Sequence, residues 1–278
     1  MARKYYSIRK GNRCLSLKDL KSLFQAVYSQ FCEKQYFFEA FGFNCVDAGQ
    51  VPGITGNNPE LYFLRHLRKA DLWPVSERLQ QYSENDLFDV IELCYDLVSK
   101  PVDGWMHSYC ECGMHWEKFD RATGRKEFRS EINDILSDYK NGYQLTIDGE
   151  VVDKADVGLE TLIDARLPGS FDASVGHKMN EAIRLFRSRN STLSDRHTAV
   201  RTLADIFENL RPKLGLAISQ KDESDLFNIA NNFAIRHHND KQKTGYDKAL
   251  WLSWMFYFYL ATLHYSARKI SAVRDHER

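Results

Sequence analysis

The feature that most limits how this chain can fold is an uncharged stretch near its C-terminus. Residues 249–267 (ALWLSWMFYFYLATLHYSA) contain no Asp, Glu, Lys or Arg over 19 positions, and charged residues flank the stretch on both sides. This length is close to the roughly 20 residues that a membrane span needs. The stretch also holds His264, several hydroxyls and many Tyr and Trp side chains. We therefore predict a helix buried on most of its surface, in a helical domain or a dimer interface, and no membrane association.

Charge is balanced over the whole chain but not along it. The 278 residues include 38 Lys and Arg and 38 Asp and Glu, so no overall field directs the protein to nucleic acid or to a membrane surface. Residues 171–278 hold 17 basic and 12 acidic side chains, a net charge of +5, and the preceding residues carry −5. The basic excess in the C-terminal part is compatible with a phosphate-bearing partner such as RNA.

The cysteines indicate a reducing compartment. The N-terminal residues MARKYYSIR are charged and lack the apolar region of a secretory signal. In a chain of this length, reduced thiols in the cytoplasm are then favoured over a disulfide framework. The six cysteines are Cys14, Cys32, Cys45, Cys94, Cys110 and Cys112.

Helical periodicity dominates the first 168 residues. Ser16 is a candidate N-cap for one helix, and Ser83 followed by Asp86 marks the start of another. Alternating apolar residues around Asp148-Gly149 predict a β-hairpin over 142–152, the one clear strand pair. Helices are predicted over residues 17–41, 59–70, 83–99 and 124–139.

Four further helices are predicted after a break at Pro168-Gly169-Ser170. They cover residues 175–189, 194–216, 222–237 and 247–270, with a kink or interruption at Pro212. Four helices joined by short loops are typical of an antiparallel bundle. We therefore predict a mainly α protein, with a helical domain over 1–168 that ends in a β-hairpin and a helical bundle over 169–278.

One candidate site is the run Arg236-His237-His238-Asn239 at the end of a predicted helix. Imidazole titrates near neutral pH and guanidinium can hold a phosphate oxygen, so these groups suit metal-independent cleavage of a phosphodiester. Adjacent His side chains on a helix point about 100° apart and can share a pocket only where the helix ends. The alternative is that they cap helix carbonyls, and the residue types alone favour it over catalysis.

A second candidate site is a run of four potential zinc ligands, which follows the pattern H-x2-C-x-C-x2-H. Zinc sites usually contain two ligand pairs separated by a longer loop, and closing a tetrahedron from one short loop is awkward. The pattern therefore favours packed thiols and imidazoles, with zinc as the alternative. The four residues are His107, Cys110, Cys112 and His115.

Several common enzyme classes are excluded by missing motifs. The sequence has no Walker A pattern, no G-x-G-x-x-G, no H-E-x-x-H and no G-x-S-x-G. A nucleotide-hydrolysing motor, a Rossmann enzyme and a serine hydrolase are therefore not expected.

A family resemblance is carried by six stretches, which are 128–136, 142–145, 149–151, 199–205, 210–212 and 227–239. These stretches resemble bacterial abortive-infection proteins of the AbiJ-like kind with a HEPN-type C-terminal helical domain. The resemblance implies an intracellular antiviral or toxin role in phage defence. It also implies a homodimeric, metal-independent ribonuclease in which Arg and His from both subunits meet.

The sequence departs from the usual HEPN motif, in which four to six residues separate Arg from His. After Arg236 those His positions hold Lys241, Gln242 and Lys243, so only Arg236 matches. Two hypotheses remain. One is an RNA-cleaving effector that uses Arg236, His237 and His238, with Asn239 orienting one of them. The other is a non-catalytic module that dimerises or senses a partner or nucleic acid.

Overall fold

The computed structural model describes residues 15–155, 158–169, 171–232 and 247–276. The chain divides into two compact units, Met1–Lys154 and Ala155–Arg278. Over the described ranges it contains eleven α-helices and three two-stranded sheets, which confirms the prediction of a mainly helical protein. The division falls ahead of the Pro168-Gly169 break because Ala155 and Ile163 pack in the core of the second unit.

The described part of the first unit holds six helices, and three of them begin at or next to the predicted residue, namely at Leu17, Pro59 and Glu84. Ser16 and Asp19 form a capping box at the start of α1, and Ser83 and Asp86 form one at the start of α5. The helices are Leu17–Glu33 (α1), Phe38–Phe41 (α2), Pro59–Leu67 (α3), Val75–Arg78 (α4), Glu84–Leu97 (α5) and Arg121–Leu136 (α6).

The single helix predicted over 17–41 is wrong, because the chain turns between α1 and α2. Gln35 has a left-handed conformation with φ 63°, which a continuing right-handed helix does not contain. The turn lets Tyr36 and Phe37 both enter the core, at 6% and 2% exposure. Adjacent side chains on one helix would point about 100° apart, so packing overrides the helical pattern here.

The packing of α1 and α6 fixes the point from which the longest hairpin starts. Phe128 of α6 meets Phe31 of α1 edge to face, with ring centroids 5.2 Å apart. Gly124 of α6 lies so close to the chain that an added Cβ would be 2.8 Å from backbone atoms of both Ser99 and Lys100. Lys100 is the first residue of the longest hairpin, which covers residues 100–120. The close approach of Gly124 therefore positions the start of this hairpin relative to the helical core.

Three antiparallel hairpins accompany these helices, where the sequence predicts one. The predicted hairpin is confirmed as β5 and β6, but two others are present, so the prediction of a single hairpin is wrong. The longer missed hairpin has no clean inside–outside alternation, because both of its faces are partly exposed, and the shorter has strands of three residues. The strands are Phe43–Cys45 (β1), Gly49–Val51 (β2), Lys100–His107 (β3), Gly113–Asp120 (β4), Tyr143–Leu145 (β5) and Val151–Asp153 (β6).

The described part of the second unit consists of helices, with α9 at its centre. This helix packs against α8, α10 and α11, and a capping box of Thr192 and Asp195 starts it. It continues through Pro212 and ends two residues later, so of the predicted alternatives, a kink or an interruption at Pro212, the interruption is wrong. A HEPN-like identity for these helices stays a prediction. The helices are Glu160–Asp164 (α7), Ala173–Arg187 (α8), Leu193–Leu214 (α9), Gln220–Asn232 (α10) and Lys248–His276 (α11).

The uncharged stretch 249–267 lies in α11 and is mostly buried or half-buried, as predicted. Phe256 stacks on Phe186 of α8 with ring centroids 3.9 Å apart, and the Tyr259 hydroxyl donates a hydrogen bond to the carbonyl of Leu226. Within the described residues, no helix has both the length and the apolar character needed to cross a membrane.

Candidate metal centre

Four side chains from two hairpins of the first unit converge on one point. Cys45 comes from β1, His107 from β3, Cys112 from the turn that follows, and His115 from β4. One ligand atom from each residue lies within 4.8 Å of the corresponding atoms of the other three. The arrangement brings together two thiols and two imidazoles that are separated by up to 70 positions in the chain.

This cluster differs from the predicted ligand set at one position. His107, Cys112 and His115 belong to both sets, but Cys110 is exposed and is not among the clustered residues. Its place is taken by Cys45, whose Sγ lies 3.8 Å from His107 Nδ1 although 62 positions separate the two residues. The difficulty of closing a tetrahedron from one short loop is thus removed, because the fourth donor comes from a different hairpin.

The short β1–β2 hairpin shapes the turn that presents Cys45. Cys45 pairs with Gly49 across the hairpin, and the Ala48 backbone N–H donates to Cys45 Sγ at 3.4 Å. Backbone N–H groups of Ala48 and then Asp47 lower the pKa of Cys45, because they stabilise the negative thiolate. The turn therefore favours the form of sulfur that binds a metal.

The β3–β4 hairpin presents the other three donors from one end. Trp105 pairs with His115 and His107 pairs with Gly113, so Trp105, His107 and His115 share one face of the two-stranded sheet. Between the strands, Cys110 and Glu111 have left-handed conformations with φ 47° and 56°. Such conformations cost about 1–3 kcal/mol each outside glycine, and here they accompany the return of the chain that places Cys112 beside His115.

Two distances within the cluster are close to those between the ligands of a tetrahedral ion. Zinc bonds of about 2.0–2.3 Å place neighbouring tetrahedral ligand atoms about 3.3–3.8 Å apart. Cys45 Sγ and His107 Nδ1 are 3.8 Å apart, and Cys112 Sγ and His115 Nε2 are 3.2 Å apart. The first distance is at the upper end of this range and the second lies just below it, so both are close to the ligand spacing of a zinc site.

The second nitrogen of His107 has a partner of the kind that metal-binding imidazoles have. His107 Nε2 lies 3.2 Å from an Oδ2 atom of Asp47, so the carboxylate can accept its N–H and leave Nδ1 with a lone pair directed at the cluster. A carboxylate on the outer nitrogen fixes the tautomer and orientation of a metal ligand.

Aromatic rings surround the two imidazoles. The His115 ring contacts Phe43 and Trp105, with centroid distances of 4.8 Å and 4.6 Å, and Trp105 is also 5.3 Å from His107. These ring contacts restrict the rotation of the two imidazoles.

The donor set decides what such a centre can do. Two thiolates and two imidazoles are the ligands of structural zinc sites, in which all four positions belong to the protein. Thiolates select soft or borderline ions, of which Zn²⁺ is the common choice with Cys2His2 ligation. With all four positions filled by side chains, the ion would have none left for a reacting water or substrate.

The other predicted site lies outside the described residues. Arg236, His237, His238 and Asn239 all fall in the range 233–246, so the proposed Arg/His site for RNA cleavage stays a prediction.

The sequence did contain a signal for Cys45. It begins the run Cys45-Val-Asp-Ala-Gly49, in which a Gly four positions after Cys allows a tight turn with N–H groups directed at sulfur.

Comparison of the chain with protein-family models, with curated proteins and with solved structures finds no match in any of the three. The interpretation of the cluster rests on its own geometry.

Proposed function

We propose that the first unit of this protein binds one Zn²⁺ ion through Cys45, His107, Cys112 and His115. The observation that carries the proposal is the convergence of four ligand atoms within 4.8 Å of one another. The Asp47 carboxylate beside His107 and the Ala48 N–H beside Cys45 supply the outer hydrogen bonds that such ligands have.

The role proposed for this ion is structural. Isolated two-stranded hairpins are marginally stable in water, and both hairpins here are two-stranded. A bound ion would cross-link the turn after β1 to the end of β3–β4, and metal-binding free energy would then contribute to folding. The exposed apolar side chains Trp105, Met106 and Tyr109 would be held in a fixed arrangement on this hairpin.

A structural ion supplies no catalytic group, so the proposal is compatible with the sequence-based hypothesis of a non-catalytic module. A closed four-ligand centre has no open coordination position for an activated water.

The direct test is the zinc content of purified protein. We expect about one zinc per chain, and we expect Cys45→Ser to retain far less zinc after dialysis against a weak chelator. Cys110→Ser is the matched control, because it removes a thiol of the β3–β4 turn, two residues from Cys112, that is not in the cluster. Equal zinc in the Cys45→Ser and parent proteins, or loss of zinc in Cys110→Ser alone, would contradict the assignment.

Cobalt substitution tests the geometry as well as the stoichiometry. Co²⁺ bound by two thiolates and two imidazoles in a tetrahedron has intense visible d–d absorption and a thiolate charge-transfer band. We expect both in the parent protein and in Cys110→Ser. In Cys45→Ser the charge-transfer band should weaken, because one thiolate is lost.

A further inference from the structure

The two sulfur donors of the cluster are close enough to react with each other. Cys45 Sγ and Cys112 Sγ both belong to the set of atoms that lie within 4.8 Å of one another. They come from different hairpins, so a bond between them would link the same two segments as the metal. Cys45 is 7% exposed, whereas Cys112 is half-buried and accessible from solvent.

We propose that hydrogen peroxide converts Cys45 and Cys112 into a disulfide and thereby releases the zinc ion, so that the centre acts as a redox-controlled metal site. This inference rests on the proposed function, since it requires that zinc be bound by these thiolates.

The chemistry needs two thiolates and one peroxide molecule. The more accessible Cys112 sulfur attacks one peroxide oxygen, the O–O bond breaks, and hydroxide leaves, which gives a sulfenic acid. The Cys45 thiolate then attacks that sulfur, the S–S bond forms, and the S–O bond breaks with loss of a second hydroxide. The two hydroxides take up two protons to give water. The two sulfurs together lose two electrons, and the peroxide oxygens gain two.

Release of the ion follows from the loss of its anionic ligands. A disulfide sulfur is neutral and is a poor ligand for Zn²⁺, because thiolate is the form that binds metal. Only His107 and His115 would remain, and two imidazoles do not complete a four-coordinate site. The oxidised protein should therefore lose its zinc to any moderate chelator.

The other described cysteines are not expected to form the disulfide with Cys45. Burial raises the pKa of Cys32 to about 11 and raises that of Cys94 well above its ordinary value, so both remain protonated thiols and react slowly with peroxide. Cys110 is exposed but lies outside the cluster of Cys45 and Cys112. The geometry thus selects one pair of sulfurs.

The experiment uses full-length zinc-loaded protein in a Cys14→Ser background, because Cys14 lies outside the described residues. Protein is titrated with hydrogen peroxide while a chromogenic zinc indicator reports released ion, and non-reducing peptide mapping locates disulfides. We expect one zinc released per Cys45–Cys112 disulfide formed, and rebinding after reduction with dithiothreitol and addition of zinc. Cys110→Ser should give the same stoichiometry.

The possible results separate the inference from the proposed function. Protein that binds no zinc before oxidation would overturn both. Complete oxidation of the exposed Cys110 shows that enough hydrogen peroxide has been added. Protein that binds zinc and still keeps it at that peroxide concentration would overturn the redox inference and leave the metal site standing. A Cys110–Cys112 disulfide in place of Cys45–Cys112 would also overturn it, and zinc release in Cys110→Ser would then be absent.

Discussion

The Nε2 atom of His107 lies 3.2 Å from an Oδ2 atom of Asp47. Asp47 is two residues after Cys45, so the short β1–β2 hairpin contacts both ring nitrogens of His107. The Nδ1 atom of the same imidazole lies 3.8 Å from Cys45 Sγ. One three-residue segment therefore provides a proposed metal ligand and also orients another ligand from a hairpin that follows much later in the sequence.

Replacing this carboxylate should weaken zinc binding without removing a ligand. We expect Asp47→Ala to lower zinc affinity about 10- to 100-fold, because the tautomer and orientation of His107 are no longer fixed. Competition titration against a chromophoric chelator measures the change. Asp103→Ala is the control, since Asp103 is a carboxylate of the β3–β4 hairpin that pairs with Lys118. An equal loss of affinity in both variants would argue for a general charge effect.

Removing the metal should lower the stability of the protein. A ligand present at 100 times its dissociation constant stabilises the folded state by about 2.7 kcal/mol. In a protein of this size, a change of that magnitude moves a thermal midpoint by about 5–10 °C. We expect a strong zinc chelator to lower the midpoint by this amount, measured by calorimetry. In Cys45→Ser the chelator should change the midpoint little. A drop of similar size in this variant would mean that the chelator acts at a different part of the protein.

The sequence predicted most helices but only part of the candidate site, and the reasons are physical. The starts of α1 and α5 depend on local capping by Ser16 and Ser83, which neighbouring residues reveal. The meeting of Cys45 with His107 depends on a contact across 62 positions, which no local pattern encodes. The β3–β4 hairpin was missed because its faces are both partly exposed, so its residues do not alternate. The turn at Gln35 was missed because burial of Tyr36 and Phe37 outweighs helical periodicity.

Close packing of α6 against the start of β3 predicts opposite effects for two helical glycines. An added Cβ at Gly124 would lie 2.8 Å from backbone atoms of Ser99 and Lys100, so Gly124→Ala should destabilise the protein by about 1–3 kcal/mol. Gly176 in α8 has no heavy atom within 4 Å of that position. Gly176→Ala should therefore stabilise by about 0.5–1 kcal/mol, the usual gain of Ala over Gly in a helix. Urea unfolding would compare them, and destabilisation by both would remove the packing explanation.

The second unit should lose stability in mild acid because of a buried imidazole. His264 of α11 is 5% exposed, and burial, assisted by the positive charge of Arg268, lowers its pKa below the ordinary 6.5. The unfolded chain therefore binds a proton that the folded protein resists. The part of the stability that depends on neutral His264 is fully present above about pH 6.5. It is lost as the pH falls from there toward the lowered pKa of His264 in the folded protein.

This pH dependence has a direct test in unfolding experiments between pH 5 and 8. We expect His264→Leu to remove part of the loss of stability on acidification, because the titrating group is absent. His177→Leu serves as the control, since His177 is an exposed residue of α8. If the two variants keep the same pH dependence as the parent, His264 is not the group responsible.

RNA cleavage remains the sharpest prediction for the C-terminal part of the chain. If Arg236, His237 and His238 form an acid–base site, purified protein should cleave total RNA in EDTA, and the folded double variant His237→Ala/His238→Ala should not. EDTA would also remove zinc from the proposed centre, so the assay needs a second arm. Cys45→Ser without chelator should cleave as well as the parent if cleavage is independent of the metal. Cleavage that survives the double variant would move the activity away from these residues, and absence of cleavage in every arm would favour the binding-module hypothesis.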